Sequence, residues 1–139
     1  MRPIIAELTV QDVDASIYWY RELGFSVDGE GLRDEEGLQW ASLSHGGRLV
    51  WLLRADLVPD AGMGTSRVRL YLPVDDIDAI YERLVARGIA TEGAPQNQWY
   101  GLREFSVRDP DGFRWILNEP LPEDETPPPP RGGALPGLA

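Results

Sequence analysis

The chain has 139 residues, of which 42% are hydrophobic, and it carries a formal net charge of −10 at pH 7. This length suits one domain with a buried core, and the negative charge excludes nucleic acid as a partner because a polyanion would be repelled. Cysteine is absent, no apolar run approaches the ~20 residues that cross a bilayer, and no signal-peptide pattern opens the chain, so we expect a cytoplasmic protein without membrane contact. The acidic surface either keeps the protein in solution, which is the simpler interpretation, or attracts a cationic ligand.

The first predicted elements are a strand over residues 4–10 and a helix that begins after Asp12, whose carboxylate is a good N-cap. One face of this helix carries the apolar residues Val13, Ile17, Tyr20 and Leu23. Gly24 ends the helix, because glycine adopts the left-handed conformation of a C-terminal cap. Alternating residues in 38–44 and 48–53 then predict a hairpin that turns over residues 44–47.

The chain repeats this pattern. Residues 10–15 recur as residues 74–79 at an offset of 64, and Gly47 and Trp51 correspond to Gly112 and Ile116 at an offset of 65. We therefore predict an α+β fold of two βαβββ modules, residues 4–54 and 67–119, joined by a linker over residues 55–66.

The second copy has the same local signals. A strand over residues 68–74 precedes Asp76, a second N-cap, and Gly88 ends the helix that follows. The apolar face of this helix is predicted to contain Ile77, Ile80, Tyr81, Leu84 and Val85.

Residues 99–112 are the most informative segment of the chain. They predict a loop, a short strand and an Asp-Pro-Asp-Gly turn at residues 109–112, followed by a strand over residues 113–117. This segment resembles the closing hairpin of the vicinal-oxygen-chelate superfamily (glyoxalase, bleomycin resistance protein, dioxygenase), and its aromatic-Gly-x-Arg-Glu-Phe portion is most similar to the bleomycin-resistance branch. The resemblance covers residues 4–119 and implies a half-open, cup-like barrel that is paired into a homodimer.

Residues 120–139 are rich in proline and glycine, so we predict a disordered tail outside the domain of residues 1–119. A ligand for a proline-recognition module is the alternative to an idle tail.

Four positions hold the divalent metal in metal-dependent members of that superfamily. The resemblance places them at Ile5, Trp51, Arg69 and Ile116, and none of these side chains is a credible metal ligand. The single histidine, His45, is predicted at a hairpin turn. We therefore expect no metal and no cofactor.

Glu7 is the one candidate catalytic residue. It lies two residues from Ile5 and so shares its face of the first strand. A buried carboxylate there would act as a general base, but an ion pair with Arg69 or exposure at the rim is the favoured interpretation.

An aromatic-walled hollow is expected in place of the metal. The predicted ligand-binding residues are Ile5, Glu7, Trp40, Trp51, Leu53, Arg69, Tyr71, Trp99, Tyr100, Arg103 and Ile116. Residues 94–103 are predicted to form a mobile flap over it. A core position is the favoured interpretation of Trp40 and Trp115, whereas Trp51, Trp99 and Tyr100 are assigned to binding.

The sequence hypothesis is a metal-free binding protein of the bleomycin-resistance type that sequesters an aromatic or cationic antibiotic-like ligand. The alternative is a lyase, isomerase or oxygenase with a non-standard active site, using a displaced metal or Glu7 as base. A third possibility is an accessory domain whose hollow is filled by its own side chains.

Overall fold

The computed structural model describes residues 3–58 and 68–130 of the chain. They form an α+β structure that divides into two compact units. The elements before the undescribed segment are β1 (Ala6–Val10), α1 (Val13–Glu22), β2 (Ser26–Glu30), β3 (Arg33–Asp34), β4 (Gly37–Leu38), β5 (Trp40–His45) and β6 (Arg48–Arg54). The elements after it are β7 (Arg69–Pro73), α2 (Ile77–Ala86), β8 (Thr91–Asn97), β9 (Leu102–Arg108) and β10 (Arg114–Pro120).

The first unit is a four-stranded sheet in the order β1-β6-β5-β2, with β1 parallel to β6 and the other pairs antiparallel. Buried residues alternate along β1, β5 and β6, which is typical of a sheet with one face against a helix. The buried apolar residues of these strands and of α1 include Leu8, Val10, Val13, Ile17, Tyr20, Leu43, Val50 and Leu52. The predicted face of α1 is therefore confirmed.

The Asp109–Phe113 turn belongs to the first unit, although β9 and β10 on either side of it belong to the second. The hydroxyl of Tyr20 donates a 2.6 Å hydrogen bond to Asp109 Oδ2, and the Gln11 amide donates to Asp111 Oδ1 at 2.9 Å. The turn closes as the sequence predicts, because the Gly112 amide donates to the Asp109 carbonyl and Gly112 has a φ of 92°.

The second unit is a sheet in the order β7-β10-β9-β8, with β7 parallel to β10 and α2 packed on one face. The residues buried on that face include Leu72, Leu84, Phe105, Val107, Trp115 and Leu117. Trp115 is thus a core residue, as its alternation with Ile116 predicts.

The strand registers reproduce both offsets of the sequence repeat. In the first unit Ala6 pairs with Val50. Leu70 lies 64 residues after Ala6 and Trp115 lies 65 residues after Val50, and these two residues pair with each other in the second unit. Positions matched through the repeat therefore have the same place in their respective sheets.

The helix signals are confirmed with one exception. Asp12 and Asp76 accept the Ala15 and Ala79 amides, and Gly24 and Gly88 have φ values of 98° and 76°. On the apolar face of α2, Ile77 and Leu84 are buried and Ile80 and Tyr81 are half-buried, but Val85 is exposed, because it lies at the solvent margin of a narrow apolar stripe.

Two segments differ from prediction. A small hairpin, β3–β4, precedes β5, so the strand predicted over residues 38–44 begins instead as the end of β4 at Leu38 and continues as β5 from Trp40. The segment predicted as a tail contains the end of β10 at Pro120 and a 3₁₀ turn over Glu123–Glu125, with the Leu121 amide bonded to the Gly101 carbonyl at 2.9 Å. Residues 131–139 lie outside the described part.

The two α-helices contain ten residues each, and neither is long and apolar enough to cross a membrane.

Candidate functional site

The four positions to which the resemblance assigns a metal, two in each unit, lie on one face of their sheet. In the first unit Glu7 pairs with Trp51, and Ile5, just before β1, shares the Glu7 face by alternation. In the second unit Arg69 pairs with Arg114, and Tyr71 pairs with Ile116.

The side chains at these positions do not fit a divalent cation. Isoleucine has no donor atom, the indole of Trp51 offers only an N–H, and the guanidinium of Arg69 is permanently positive. Within residues 3–58 and 68–130, no three His, Cys, Asp or Glu side chains are grouped so that they could hold a metal ion.

The open face of the first sheet is aromatic. Trp40 and Trp51 are half-buried and make an edge-to-face contact with ring centroids 5.6 Å apart. Leu53 pairs with Trp40 across β5 and β6 on the same face. Trp40 is therefore part of this face rather than of the helix-side core, which corrects the favoured interpretation of its role.

Glu7 is exposed on the open face of the first sheet. The general-base hypothesis requires a buried carboxylate, so the structure does not support it.

The open face of the second sheet contains a cavity of about 170 Å³, which we call the second-sheet cavity. Its lining residues come from β8, β9, β10 and the turn after β8, and they are Glu92, Gly93, Ala94, Gln96, Gln98, Glu104, Phe105, Ser106, Arg114 and Ile116. Of the predicted ligand-binding residues, only Ile116 lines it.

A bulge in β8 accompanies this cavity. Glu92 pairs with Ser106 and Gln96 pairs with Glu104, so residues 93–95 lie opposite Phe105 alone. Gly93 has a φ of 81°, and Pro95 is tolerated because β8 is an edge strand. Two of the bulged residues, Gly93 and Ala94, line the cavity, and both have small side chains.

Glu104 is the most unusual residue of the second-sheet cavity. Its residue exposure is 7%, and its Oε2 atom has no hydrogen-bond partner among the described residues. Burial raises the pKa of this carboxyl, and the nearby positive charge of Arg69 opposes that rise in pKa. Buried polar atoms are normally hydrogen-bonded, so an unpartnered carboxylate oxygen in a cavity indicates a place for a ligand group.

The other charged side chains near this carboxylate have partners of their own. Arg114 donates to both carboxylate oxygens of Glu92 at 3.2 Å. Arg69 donates to the hydroxyl of Tyr71 at 3.1 Å. Tyr71 itself is 40% exposed on this face.

The segment predicted as a mobile flap is mostly paired strand. Residues up to Asn97 belong to β8, and the turn to β9 is closed by hydrogen bonds from the Gln98 amide to Leu102 and from the Gly101 amide to Gln98. Trp99 and Tyr100 occupy this turn with ring centroids 5.5 Å apart. The turn follows Gln98, which lines the second-sheet cavity.

Arg103 is held on the other side of the sheet. It alternates with Glu104 along β9, and its guanidinium forms an ion pair with Asp78 of α2 at 2.7 Å and a hydrogen bond to Asn97 at 2.8 Å. Its predicted role in ligand binding is therefore replaced by a role in holding α2 against the sheet.

Glu104 was not predicted as a site residue, although it belongs to the motif that carries the family resemblance. Its placement depends on the β9–β10 register, in which it pairs with Asn118 on the face of Ile116. The available sequence signal was Gly93 and Pro95, because glycine and proline inside a strand mark a bulge.

A second depression lies in the first unit, with a volume of about 440 Å³, between Gln11, Asp12, Glu36, Arg54 and Asp56. The guanidinium of Arg54 donates to Asp34 and Asp56 at 2.6 Å. The positive charge in this depression is therefore paired within the protein rather than left to a ligand. We therefore assign one candidate site to the second-sheet cavity, and treat the aromatic face of the first sheet as a separate candidate surface.

Comparison with known proteins agrees with this fold. The profile of the Glyoxalase/Bleomycin resistance protein/Dioxygenase superfamily matches residues 4–117. The crystal structure of TioX from Micromonospora sp. ML1 is 25% identical, has a TM-score of 0.73, and is matched over 87% of this chain and 100% of that chain.

Two further solved structures are similar. A glyoxalase/bleomycin resistance protein/dioxygenase from Nocardioides is 26% identical, with a TM-score of 0.66 over 96% of this chain and 91% of that chain. Lactoylglutathione lyase from Agrobacterium tumefaciens shares the fold at 19% identity and a TM-score of 0.65, over 85% of this chain and 92% of that chain.

Among curated sequences, an uncharacterized protein of Mycobacterium bovis is 34% identical over 61 residues, which are 44% of this chain. The matched part spans 40% of the length of that relative.

Proposed function

Because the chain belongs to the Glyoxalase/Bleomycin resistance protein/Dioxygenase superfamily, we propose that it is a metal-free member that binds a small organic molecule without transforming it. The observation that carries this proposal is the replacement of all four metal-binding positions by Ile5, Trp51, Arg69 and Ile116. A binding protein of the bleomycin-resistance type needs no metal, whereas the isomerase and dioxygenase chemistries of the superfamily do.

The side chains around the site favour an aromatic ligand. Trp51 and Trp40 present half-buried indole rings on one sheet, and Tyr71 and Trp99 are partly exposed in the other unit. Such rings stack on flat organic groups. Within the second unit, the cavity beside Glu104 adds polar atoms that would orient such a group. An antibiotic-like aromatic compound, sequestered rather than modified, has this chemistry.

We propose further that the protein is a homodimer whose sheets form a half-open cup. In support, the edge strands β1 and β7 are preceded by exposed apolar residues, with Ile4 96% and Val68 50% exposed. Exposed sheet edges with apolar side chains are normally covered by another surface. Light scattering coupled to gel filtration should give twice the mass of the 15.5 kDa chain, and a monomer at micromolar concentration would contradict the dimer.

Tryptophan fluorescence tests the binding proposal. Titration with bleomycin and with a panel of planar aromatic antibiotics should quench emission saturably for at least one compound. The Trp51→Ala variant should bind that compound about tenfold more weakly, because a stacking surface is lost. Trp19→Phe, which removes a tryptophan of α1 instead, is the matched control and should bind normally. No saturable quenching with any of these compounds would contradict the proposal.

Metal analysis tests the exclusion of an enzyme. Protein purified without chelators should contain zinc, iron, nickel and manganese well below one ion per chain. A stoichiometric ion that survives buffer exchange would support the lyase, isomerase or oxygenase alternative.

A further inference from the structure

We propose that Glu104 anchors a cationic nitrogen of the ligand, an amidinium or ammonium group attached to a flat ring, inside the second-sheet cavity. This inference rests on the proposed function and specifies the part of the ligand that this cavity receives. Glu104 would then distinguish cationic ligands from neutral ligands of the same shape.

The first argument is the state of the carboxylate. Glu104 is 7% exposed, and its Oε2 atom finds no hydrogen-bond partner in the described parts of the chain. A buried carboxylate oxygen without a partner costs free energy, which a donor supplied by another molecule would recover. A cationic N–H donor is the partner that forms the strongest hydrogen bond to it.

The second argument is the charge of the remaining lining. Glu92 forms ion pairs with both Arg114 and Arg108, so its carboxylate is already engaged. The other polar side chains, Gln96, Gln98 and Ser106, are neutral. Arg69 acts on Glu104 through its positive charge, and it also donates a hydrogen bond to the Tyr71 hydroxyl. Among the described residues, Glu104 is therefore the charged group of the lining that forms no ion pair, and a carboxylate accepts hydrogen bonds from a cationic donor but not from an anion.

The third argument is size. The cavity measures about 170 Å³, and an apolar cavity of about 150 Å³ holds one benzene molecule. Ile116, on the same face as Glu104, supplies an apolar contact beside the carboxylate. The space thus suits one six-membered ring with a small charged group, and a larger ligand would place only this part of itself there.

The test compares benzamidine, which is cationic, with benzamide, which has nearly the same shape and is neutral. Binding to the full chain is measured at neutral pH by calorimetry and by shifts of backbone amide resonances. Wild-type protein should bind benzamidine about tenfold or more tightly than benzamide, with the largest shifts at Gln96, Gln98 and Ser106. Glu104→Gln should remove this preference.

The control is Glu82→Gln, which removes the same charge from an exposed position of α2 and should retain the preference. Equal affinity of wild-type protein for the two compounds would overturn the inference, as would a preference that persists in Glu104→Gln. The wild-type comparison does not depend on folding of any variant. If neither compound binds while an antibiotic still quenches tryptophan emission, the inference is wrong and the proposed function stands.

Discussion

Two buried carboxyl groups, Asp109 and Glu104, show how the same residue chemistry serves different ends. Burial raises the pKa of both. Asp109 is fully engaged, because it accepts hydrogen bonds from the Tyr20 hydroxyl and from the amides of Asp111 and Phe113. Glu104 has an oxygen without a partner. The first carboxyl therefore holds a turn in place, and the second is available to a ligand.

The bond between Tyr20 and Asp109 should be measurable as stability. Tyr20→Phe removes a buried 2.6 Å hydrogen bond to a charged acceptor and should lower the free energy of unfolding by about 1.5–3 kcal/mol in urea titrations. Tyr18→Phe, at a residue that is 73% exposed, is the control and should change it little. Equal effects of the two variants would show that the buried hydroxyl contributes nothing specific.

The raised pKa of Glu104 predicts a pH dependence of stability. The folded carboxyl holds its proton more tightly than the unfolded one, whose pKa is near 4.5, so the stability it contributes is full below that pH and is lost as pH rises through the folded pKa. Glu104→Gln does not titrate. As pH rises through that window, the free energy of unfolding of Glu104→Gln should therefore increase relative to that of wild type. The increase should reach about 1–3 kcal/mol at the pH where Glu104 is ionised in both the folded and the unfolded wild-type protein. A wild-type-to-variant difference that stays constant from acid to alkaline pH would contradict the burial of this charge.

At the scale of elements, the repeated signals of the sequence had local causes and were confirmed. The N-cap aspartates, the glycines after each helix and the Asp-Pro-Asp-Gly turn all act within a few residues of themselves. The second-sheet cavity depends instead on the pairing of three strands and on the bulge of β8, and residue-by-residue patterns do not fix such a register. This is why most of the fold was predictable, whereas Glu104 was missed and Arg103, predicted to bind ligand, is paired with Asp78 of α2.

The two N-caps should differ in their response to substitution. Asp12→Ala should destabilise the protein by about 1 kcal/mol, because the Ala15 amide loses its acceptor. Asp76→Ala should cost about 1–2 kcal/mol more, since Asp76 has a φ of 55°, which alanine adopts only with strain. Thermal and urea denaturation measure both, with the asparagine variants as conservative controls. Identical losses for the two alanine variants would argue against the left-handed conformation at Asp76.

At the scale of the whole molecule, the net charge of −10 acts over longer distances than any single contact. A diffuse negative potential attracts a cation, and salt screens it because the Debye length shrinks from roughly 10 Å at 0.1 M to roughly 3 Å at 1 M. This contribution is separate from the local effect of Glu104, which is buried and less accessible to ions.

Salt should therefore separate the two compounds proposed as probes. Raising the ionic strength from about 0.1 M to about 1 M should weaken benzamidine binding several-fold and leave benzamide binding unchanged. Calorimetry at each salt concentration measures this, and Glu104→Gln should lower the benzamidine affinity at every ionic strength. If benzamidine binding were insensitive to salt, the overall charge would serve only to keep the protein in solution.

The Asp109–Phe113 turn belongs to the first unit although it comes from the second half of the duplicated chain. The first half therefore depends on the second for part of its own structure. A fragment that stops before the undescribed segment retains Tyr20 and Gln11 but has lost the aspartates that satisfy them. Such a fragment would lack the carboxylate to which the buried Tyr20 phenol donates its 2.6 Å hydrogen bond, and a peptide containing residues 109–113 would restore it. Splitting this protein for expression or reporter assays should therefore give halves that are soluble and structured only when they are produced together.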